Sequence, residues 1–271
     1  MPEHSYTEST LQIADGVALF TMNRPDTRNA FTTEMRRDLC RLARDVRADA
    51  SVKALIISGA GGFSAGGDVK AMNEGFASPA AARQLMLEHH EFLEPLMNLE
   101  LPVIAATHGA VFGGGFSLAL ACDFILATPK AKFCAVFGRI GVIPDMAIMH
   151  TLPRMVGLQR AKEICYTARV LGAEEALGLG LLYAIVPEEK LMAEAKALAD
   201  RLKIGSKLSI GLSKLILNRS FETDYKALAN DEATAQAVCL MSDYHKEQAA
   251  RFAAKQPLPY DWEQLSKRAA E

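Results

Sequence analysis

One carboxylate interrupts an otherwise apolar stretch of the chain. The segment IGVIPDMAIMH runs from Ile140 to His150, and Asp145 is its only acidic residue. An Asp that precedes a helix commonly accepts hydrogen bonds from the first helical turn. A carboxyl group in apolar surroundings can instead act as an acid–base catalyst, because desolvation raises its pKa towards neutrality. This segment alone leaves both interpretations of Asp145 open.

Two glycine-rich loops are the second candidate for chemistry. They read GAGGFSAGGD over residues 59–68 and GAVFGGGF over residues 109–116, and each follows an apolar strand pattern. The first lacks the Lys of a phosphate-binding P-loop, and the second lacks the G-x-G-x-x-G of a dinucleotide site. Both are explained as tight turns, since glycine tolerates positive φ. They can also present two backbone N–H groups to one oxygen atom, as in an oxyanion hole.

Ser64 offers a third chemistry, because GFSAG matches the nucleophile elbow G-x-S-x-G of serine hydrolases. The residues that could follow it in the order Ser…Asp…His are Asp123 or Asp145, and His150 or His245. However, the elbow serine should lie directly between a strand and a helix, whereas GAG precedes this motif and Gly67-Asp68 follows it. The context therefore disfavours a serine hydrolase.

The composition excludes several classes of function. The 271 residues carry a net charge of −2 without a basic block, so neither nucleic acid nor an anionic membrane is an expected partner. The most apolar stretch is broken by His108, glycines and Asp123, which makes it a poor membrane span. Five scattered cysteines predict free thiols in a reducing cytoplasm. Six histidines without H-x-x-x-H spacing predict no metal site.

The elements that must position these residues alternate between strand and helix. A hairpin is predicted over residues 11–22, a helix after Thr32, and a buried strand over residues 52–59. Ser78-Pro79 begins a further helix, which we expect to kink or end near Pro95. Such alternation predicts an α/β core over residues 1–205. The chain is almost wholly helical from about Glu188, so residues 206–271 are predicted to form a helical C-terminal region.

Several motifs together resemble the enoyl-CoA hydratase/isomerase (crotonase) superfamily. FSAGGDVKAM is similar to the family signature F-C-A-G-A-D-L-K, and PVIAATHGAVFGGGFSLALACDFILAT is similar to its second signature. MNRPDTRNAF, LPRMVGLQRAKEI and GLGLLYAIVP match further family landmarks in the same order. The resemblance extends from about Val17 to Pro257.

The resemblance implies a spiral of ββα turns with a helical C-terminus that forms a trimer or a dimer of trimers. It implies an acyl-CoA substrate, with coenzyme A as part of the substrate and no permanently bound cofactor. Gly67 and Gly114 would supply the two oxyanion-hole N–H groups. The segments that contact coenzyme A would include Arg28, Ala30, Ala65, Asp68 and Lys70. The acyl pocket would be lined by Met72, Phe76, Met86 and Phe137.

Three positions depart from the hydratase pattern. The hydratases place a glutamate where this chain has Ser117 and another where it has Phe137. Neither side chain can act as an acid–base group near neutral pH. The third position is Asp145, where the hydratases carry glycine after the proline. IGVIPD is instead similar to the IGLIPD of epoxyphenylacetyl-CoA isomerases, and dienoyl-CoA isomerases also carry an Asp at this position. The resemblance thus implies double-bond migration, with Asp145 as the acid–base group.

Three alternatives to an isomerase remain open. A hydratase or thioester hydrolase on the same scaffold would use Asp145 to activate water. The chlorobenzoyl-CoA dehalogenases of the same superfamily carry an Asp at this place and a helical His where His90 lies, but they have Trp where this chain has Phe137. The third alternative is a CoA-binding trimer without catalytic activity.

Overall fold

Two β-sheets form the framework of the fold. The computed structural model describes residues 6–68 and 73–268, so Lys70 and Met72 lie outside the described residues. The larger sheet has the order β1-β2-β3-β4-β6-β9, formed by β1 (Ser9–Ala14), β2 (Val17–Met22), β3 (Ala54–Gly59), β4 (Val103–Thr107), β6 (Phe124–Ala127) and β9 (Ala184–Ile185). The smaller sheet has the order β5-β7-β8, formed by β5 (Ala110–Phe112), β7 (Lys132–Cys134) and β8 (Leu171–Gly172).

The predicted hairpin and first helix are confirmed. β1 and β2 pair antiparallel around Asp15-Gly16, whose φ angles of 51° and 77° give the turn the twist that suits a two-residue hairpin loop. The helix α1 (Thr33–Ala48) begins after Thr32, whose side chain accepts a hydrogen bond from the Met35 N–H. Its buried face packs on the sheet, as the period of its apolar residues predicts.

The core is a spiral of ββα turns, as the resemblance implied. β3 leads to Ser64, which forms an isolated parallel bridge with Val111, and then to α2 (Pro79–Met97). β4 and β5 lead to α3 (Gly114–Leu120). β6 and β7 lead to α4 (Ile148–Val156). Each turn therefore adds a strand to the larger sheet and then a shorter extended segment beside the previous one.

This stacking brings three loop segments side by side. The Phe112 N–H donates to the Ser64 carbonyl oxygen at 3.0 Å, and the Gly113 N–H donates to the Cys134 carbonyl oxygen at 2.9 Å. The first glycine loop, the triple glycine and the segment after β7 are thus neighbours, although about 70 residues separate the first from the third. Their shared edge positions the candidate site.

Helices form most of the described chain after Val156. They are α5 (Leu158–Thr167), α6 (Ala173–Gly178), α7 (Leu191–Leu202), α8 (Lys207–Asn218), α9 (Tyr225–Met241), α10 (Asp243–Ala253) and α11 (Trp262–Arg268). α7 packs on the larger sheet, whereas α9 and α10 contain no buried residue and expose large apolar side chains, including Met241 and Phe252 at 72% each. Within residues 6–68 and 73–268, we find no helix with the length and apolar character needed to cross a bilayer. All five cysteines are free thiols.

Candidate active site

One cleft brings the glycine loops, α2 and Asp145 together. Gly67 lines it from the first loop, Gly114 lines it from the start of α3, and Asp145 lines it from the segment before α4. Three apolar side chains expected in the acyl pocket also line this cleft: Phe76, Met86 and Phe137. Met72, the fourth, lies outside the described residues. The cleft thus combines backbone donors, one acid–base candidate and an apolar wall.

The two glycine loops are in direct contact. A Cβ atom at Gly66, whose φ is +92°, would lie 2.6 Å from the Phe112 carbonyl oxygen and 2.8 Å from the Gly114 nitrogen. A Cβ atom at Gly115 would lie 2.4 Å from the Ser64 carbonyl oxygen. Any larger residue would therefore force the loops apart. These glycines are required by the close approach of two backbones, as well as by turn geometry.

Among the described residues, no acceptor takes a hydrogen bond from the N–H group of Gly67 or of Gly114. Gly67 forms an isolated parallel bridge with Phe31, in which the peptide groups flanking Gly67 make the hydrogen bonds and its own N–H is turned away. The Phe31 N–H accordingly donates to the Gly66 carbonyl oxygen at 2.8 Å. Gly114 is the first residue of α3, so its N–H has no carbonyl acceptor within the helix. Both residues line the cleft.

Asp145 does not cap the helix that follows it. α4 begins at Ile148, its N-cap residue is Ala147, and no side chain accepts a hydrogen bond from its first turn. The capping interpretation of Asp145 is therefore wrong: two intervening residues, Met146 and Ala147, adopt left-handed φ angles of 53° and 63° and separate the carboxylate from the helix. Such angles are strained for residues other than glycine, and strained residues cluster at functional sites.

The pKa of Asp145 is shifted as expected for a general base. Burial raises it to about 6, and the charge of His90 on α2 opposes the rise. His90 itself is exposed. The neighbouring Met146 is buried, and its Sδ would lie 2.6 Å from a Cβ at Gly114, so the segment packs tightly on the start of α3. A carboxyl with a pKa near 6 can both accept and return a proton near neutral pH.

The two positions where hydratases carry glutamate have structural roles here. Ser117 is fully buried in α3, and its Oγ donates to the Asp145 carbonyl oxygen at 3.0 Å. Phe137 is 8% exposed and lines the cleft with its ring. One residue therefore fixes the main chain of Asp145, and the other keeps the site apolar.

Ser64 is not arranged as a nucleophile. Its side chain is 1% exposed, and its Oγ donates to the Asn29 carbonyl oxygen at 2.8 Å and accepts from the Gly66 N–H at 3.1 Å. Because its proton is given to a backbone carbonyl, no histidine can serve as its base in this geometry. GFSAG thus matches G-x-S-x-G in sequence only, because the Ser64 hydroxyl makes hydrogen bonds that stabilise the loop.

The segments expected to contact coenzyme A lie together beside the cleft. Arg28 is exposed at the end of a 3₁₀ turn (Pro25–Thr27), and its carbonyl oxygen accepts from the Ala65 N–H at 2.9 Å. Ala65 and Asp68 line the cleft, whereas Ala30 is buried beneath it at 8% exposure and does not line it. Lys70 lies outside the described residues. Four of the five residues are thus adjacent, although only two face the cleft.

Asn29 is a positioning residue that the sequence analysis missed. It is fully buried, and its Nδ2 donates to the carbonyl oxygens of Gly62 and Phe63 at 2.7 and 3.1 Å, while its Oδ1 accepts from the Arg24 N–H at 2.7 Å. Its side chain therefore holds the first glycine loop, residues 59–68. The available signal was a small polar residue between Arg28 and Ala30, in a segment already selected for its family resemblance.

Arg36 and His89 also line the cleft, although no motif drew attention to them. Arg36 comes from α1 and His89 from α2, so only the packing of these helices brings them together. Burial lowers the pKa of His89 to about 4, which leaves its imidazole neutral near pH 7. Within the described part of the chain, no three His, Cys, Asp or Glu side chains form a group that could hold a metal ion.

Comparison with known proteins assigns the family. The enoyl-CoA hydratase/isomerase family model matches residues 12–264. The crotonyl-CoA hydratase of Syntrophomonas wolfei is 33% identical over 253 residues, which is 93% of this chain and 96% of the relative. The 1,2-epoxyphenylacetyl-CoA isomerase of Escherichia coli is 31% identical over 258 residues, 90% of this chain and 95% of the relative.

Solved structures agree with this assignment. The enoyl-CoA hydratase/isomerase from Cupriavidus metallidurans superimposes with a TM-score of 0.90 at 33% identity, covering 95% of this chain and 97% of that one. The family acts on coenzyme A thioesters without a permanently bound cofactor. The glycine loops, their shared edge and the helical C-terminal region are therefore those of a crotonase fold, and the chain belongs to the enoyl-CoA hydratase/isomerase family.

Proposed function

We propose that this protein is an isomerase that moves a double bond in an acyl-CoA thioester. The observation that carries the proposal is the carboxyl group of Asp145, which lines the cleft with a pKa of about 6 beside two available backbone N–H groups. Neither Ser117 nor Phe137, at the two positions where hydratases carry glutamate, can act as a general acid or base. One acid–base group is sufficient for isomerisation, because the proton that it removes is the proton that it returns.

The proposed reaction proceeds through an enolate. The N–H groups of Gly67 and Gly114 donate to the thioester oxygen, and the Asp145 carboxylate removes a proton from C2 of a 3-enoyl group. The electron pair of the broken C–H bond is delocalised over the thioester oxygen and C4. Asp145 then donates the same proton to C4, which leaves the double bond between C2 and C3. The two N–H groups accelerate the reaction because they bind the enolate more strongly than the ground-state carbonyl.

A hydratase or hydrolase is the second candidate. Relatives named as hydratases support it, since the crotonyl-CoA hydratase of Syntrophomonas wolfei and the short-chain-enoyl-CoA hydratase of Clostridium acetobutylicum are 33% and 30% identical to this chain. In that reaction Asp145 would hold and deprotonate a water molecule. Phe137 disfavours this reaction, because its apolar ring cannot form a hydrogen bond to the water molecule. The hydratases have a carboxylate at that position.

We further propose that the helical region from about residue 206 assembles the protein as a trimer or a dimer of trimers. Its exposed apolar side chains support this assembly, notably Tyr225 at 83%, Met241 at 72% and Phe252 at 72%. Coenzyme A would lie against the segments that contain Arg28, Ala65, Asp68 and Lys70. A cytoplasmic location remains a prediction from the five free thiols.

A substrate scan tests the proposal. Purified protein is incubated with 3-enoyl-CoA, 2-enoyl-CoA and saturated acyl-CoA, and the products are separated as double-bond isomers, 3-hydroxyacyl-CoA and free coenzyme A. Conversion of the 3-enoyl to the 2-enoyl thioester as the fastest reaction is expected. Water addition or thioester cleavage as the fastest reaction supports the second candidate. Binding without any conversion identifies a non-catalytic CoA-binding protein.

A further inference from the structure

The guanidinium group of Arg36 lies on the wall of the cleft and forms no salt bridge with any described residue. The guanidinium group of Arg36 donates from Nη1 to the Phe31 carbonyl oxygen at 3.1 Å and from Nη2 to the Thr33 Oγ1 at 3.0 Å. A guanidinium group has five N–H donors. Among the described residues, these two neutral oxygens are its only hydrogen-bond acceptors, and no carboxylate lies within ion-pair distance of it. The carboxylates of Glu88 and Asp68 act on it through their electrostatic field.

A neutral imidazole lies on the same wall. His89 is 8% exposed, and neither ring nitrogen has a hydrogen-bond partner among the residues that the structure describes; its Nδ1 is shielded from solvent. The ring is fixed by an edge contact with Phe92, 6.4 Å between centroids at 78°. His89 lines the cleft, so a ligand there would reach its other ring nitrogen, Nε2, which also has no hydrogen-bond partner among the described residues.

Apolar residues adjoin Arg36 and His89 on this wall of the cleft. Phe31, Leu85 and Met86 line the adjoining surface, and they offer a substrate only apolar contact. Arg36 and His89 interact electrostatically across this wall, from α1 and α2 respectively. Both lie on elements other than the glycine loops and the Asp145 segment. Neither has a role in the proposed proton transfer.

We propose that Arg36 and His89 form a polar subsite for an oxygen atom on the tail of the acyl group, so that the preferred substrates are acyl-CoA thioesters with a hydroxyl, carbonyl or carboxylate oxygen remote from the thioester. The inference rests on the proposed acyl-CoA function and specifies its substrate class. A tail oxygen would accept hydrogen bonds from Arg36 and from the imidazole N–H, whereas a hydrocarbon tail would leave both donors unsatisfied.

Calorimetry with saturated thioesters tests this subsite without turnover. The probes are hexanoyl-CoA, 6-hydroxyhexanoyl-CoA, adipoyl-CoA and coenzyme A alone. We expect at least one oxygenated probe to bind about tenfold more tightly than hexanoyl-CoA. His89→Leu should reduce this ratio to about one, and His89→Gln, which retains an amide donor, should retain part of it. Leu87→Ala, at an exposed position on the same helix, should leave the ratio unchanged.

Three results would overturn the inference. The first is hexanoyl-CoA binding at least as tightly as both oxygenated probes. The second is a preference for oxygen that survives in His89→Leu. The third is an Arg36→Met variant that loses affinity for coenzyme A alone as strongly as for the oxygenated thioesters, which would assign Arg36 to a phosphate of the cofactor moiety. Failure to bind any thioester would instead reject the acyl-CoA function itself.

Discussion

The hydroxyl group of Ser117 donates a hydrogen bond to the main-chain carbonyl oxygen of Asp145, with 3.0 Å between the two oxygens. Ser117 lies in α3, the helix whose first residue is Gly114. One helix therefore carries a candidate oxyanion donor and also holds the main chain of the candidate acid–base residue. The relative position of these two groups depends on this contact, because the adjoining residues Met146 and Ala147 are in strained left-handed conformations.

Ser117→Ala should lower kcat about tenfold while leaving acyl-CoA affinity nearly unchanged. The substitution removes the bond that fixes the Asp145 main chain, so the carboxylate would reach its reactive position less often. Stability should fall by about 1 kcal/mol. The matched control is Ser58→Ala, whose buried hydroxyl donates to the Ala106 carbonyl oxygen at 3.0 Å within the larger sheet. Steady-state kinetics should show the loss of kcat in the first variant only; an equal loss in both would mean a general effect on stability.

Asp145→Asn should stabilise the protein at pH 7. Burial raises the pKa of Asp145 in the folded state to about 6, above the ordinary value of about 3.9. The folded wild type therefore binds a proton more strongly than the unfolded chain, and its stability falls as the pH rises from about 4 to about 6. Asn carries no such penalty. At pH 7 urea unfolding should show the variant to be more stable by about 2 kcal/mol, and at pH 3.5 the difference should vanish.

The opposite change in stability of Asp145→Asn would also be informative. A variant whose stability relative to the wild type is lower at pH 7 than at pH 3.5 would mean that partners of the ionised carboxylate compensate for its burial. The pKa of Asp145 would then lie below 3.9, and it would be a poor general base near neutral pH.

Gly66→Ala should destabilise the protein by more than 2 kcal/mol and remove most of its activity. Its φ of +92° is unfavourable for alanine, and its Cβ would lie 2.6 Å from the Phe112 carbonyl oxygen, which forces the two glycine loops apart. Gly178→Ala is the matched control, because a Cβ there would meet no atom within 4 Å. Thermal unfolding and activity assays of both variants test whether the two loops approach each other closely. Near-normal activity of Gly66→Ala would exclude that close approach.

The assembly prediction is tested by light scattering. The apolar side chains exposed on α9 and α10 should be buried between subunits, so the mass at micromolar protein concentration should correspond to three or six chains. Phe252→Glu should weaken the assembly, since Phe252 is 72% exposed in the single chain and a charge between subunits would be costly. A monomeric wild type would contradict the prediction.

Longer elements were predictable from the sequence, whereas the three-residue strands β5 and β7 were not. The period of the apolar residues in α1 and the Asp15-Gly16 turn are local signals, and the structure confirms both. β5 and β7 each have three residues, which is too short for a period of two to be recognised. These two strands nevertheless place the glycine loops and the segment after β7 at one edge.

The candidate site residues that lie in sequence motifs were predictable. Those that reach the cleft only through helix packing were not. Asp145, Gly67 and Gly114 could be selected from sequence because they occur in segments that resemble family signatures. Arg36 and His89 are 53 positions apart in the sequence and belong to ordinary amphipathic helices. No local pattern distinguishes them from surface or core residues, because their importance follows from the contact between α1 and α2.

The central claim is that Asp145 transfers the proton, and the most direct test is the rate of 3-enoyl-CoA isomerisation by the wild type and by Asp145→Asn. We expect kcat of the variant to be lower by about 100-fold or more, with a Tm at pH 7 that is no lower than that of the wild type. The wild-type rate should also rise through an apparent pKa near 6, where the buried carboxyl ionises. Equal rates for the two proteins would contradict the account, because Asn retains the shape of Asp but cannot accept or return a proton.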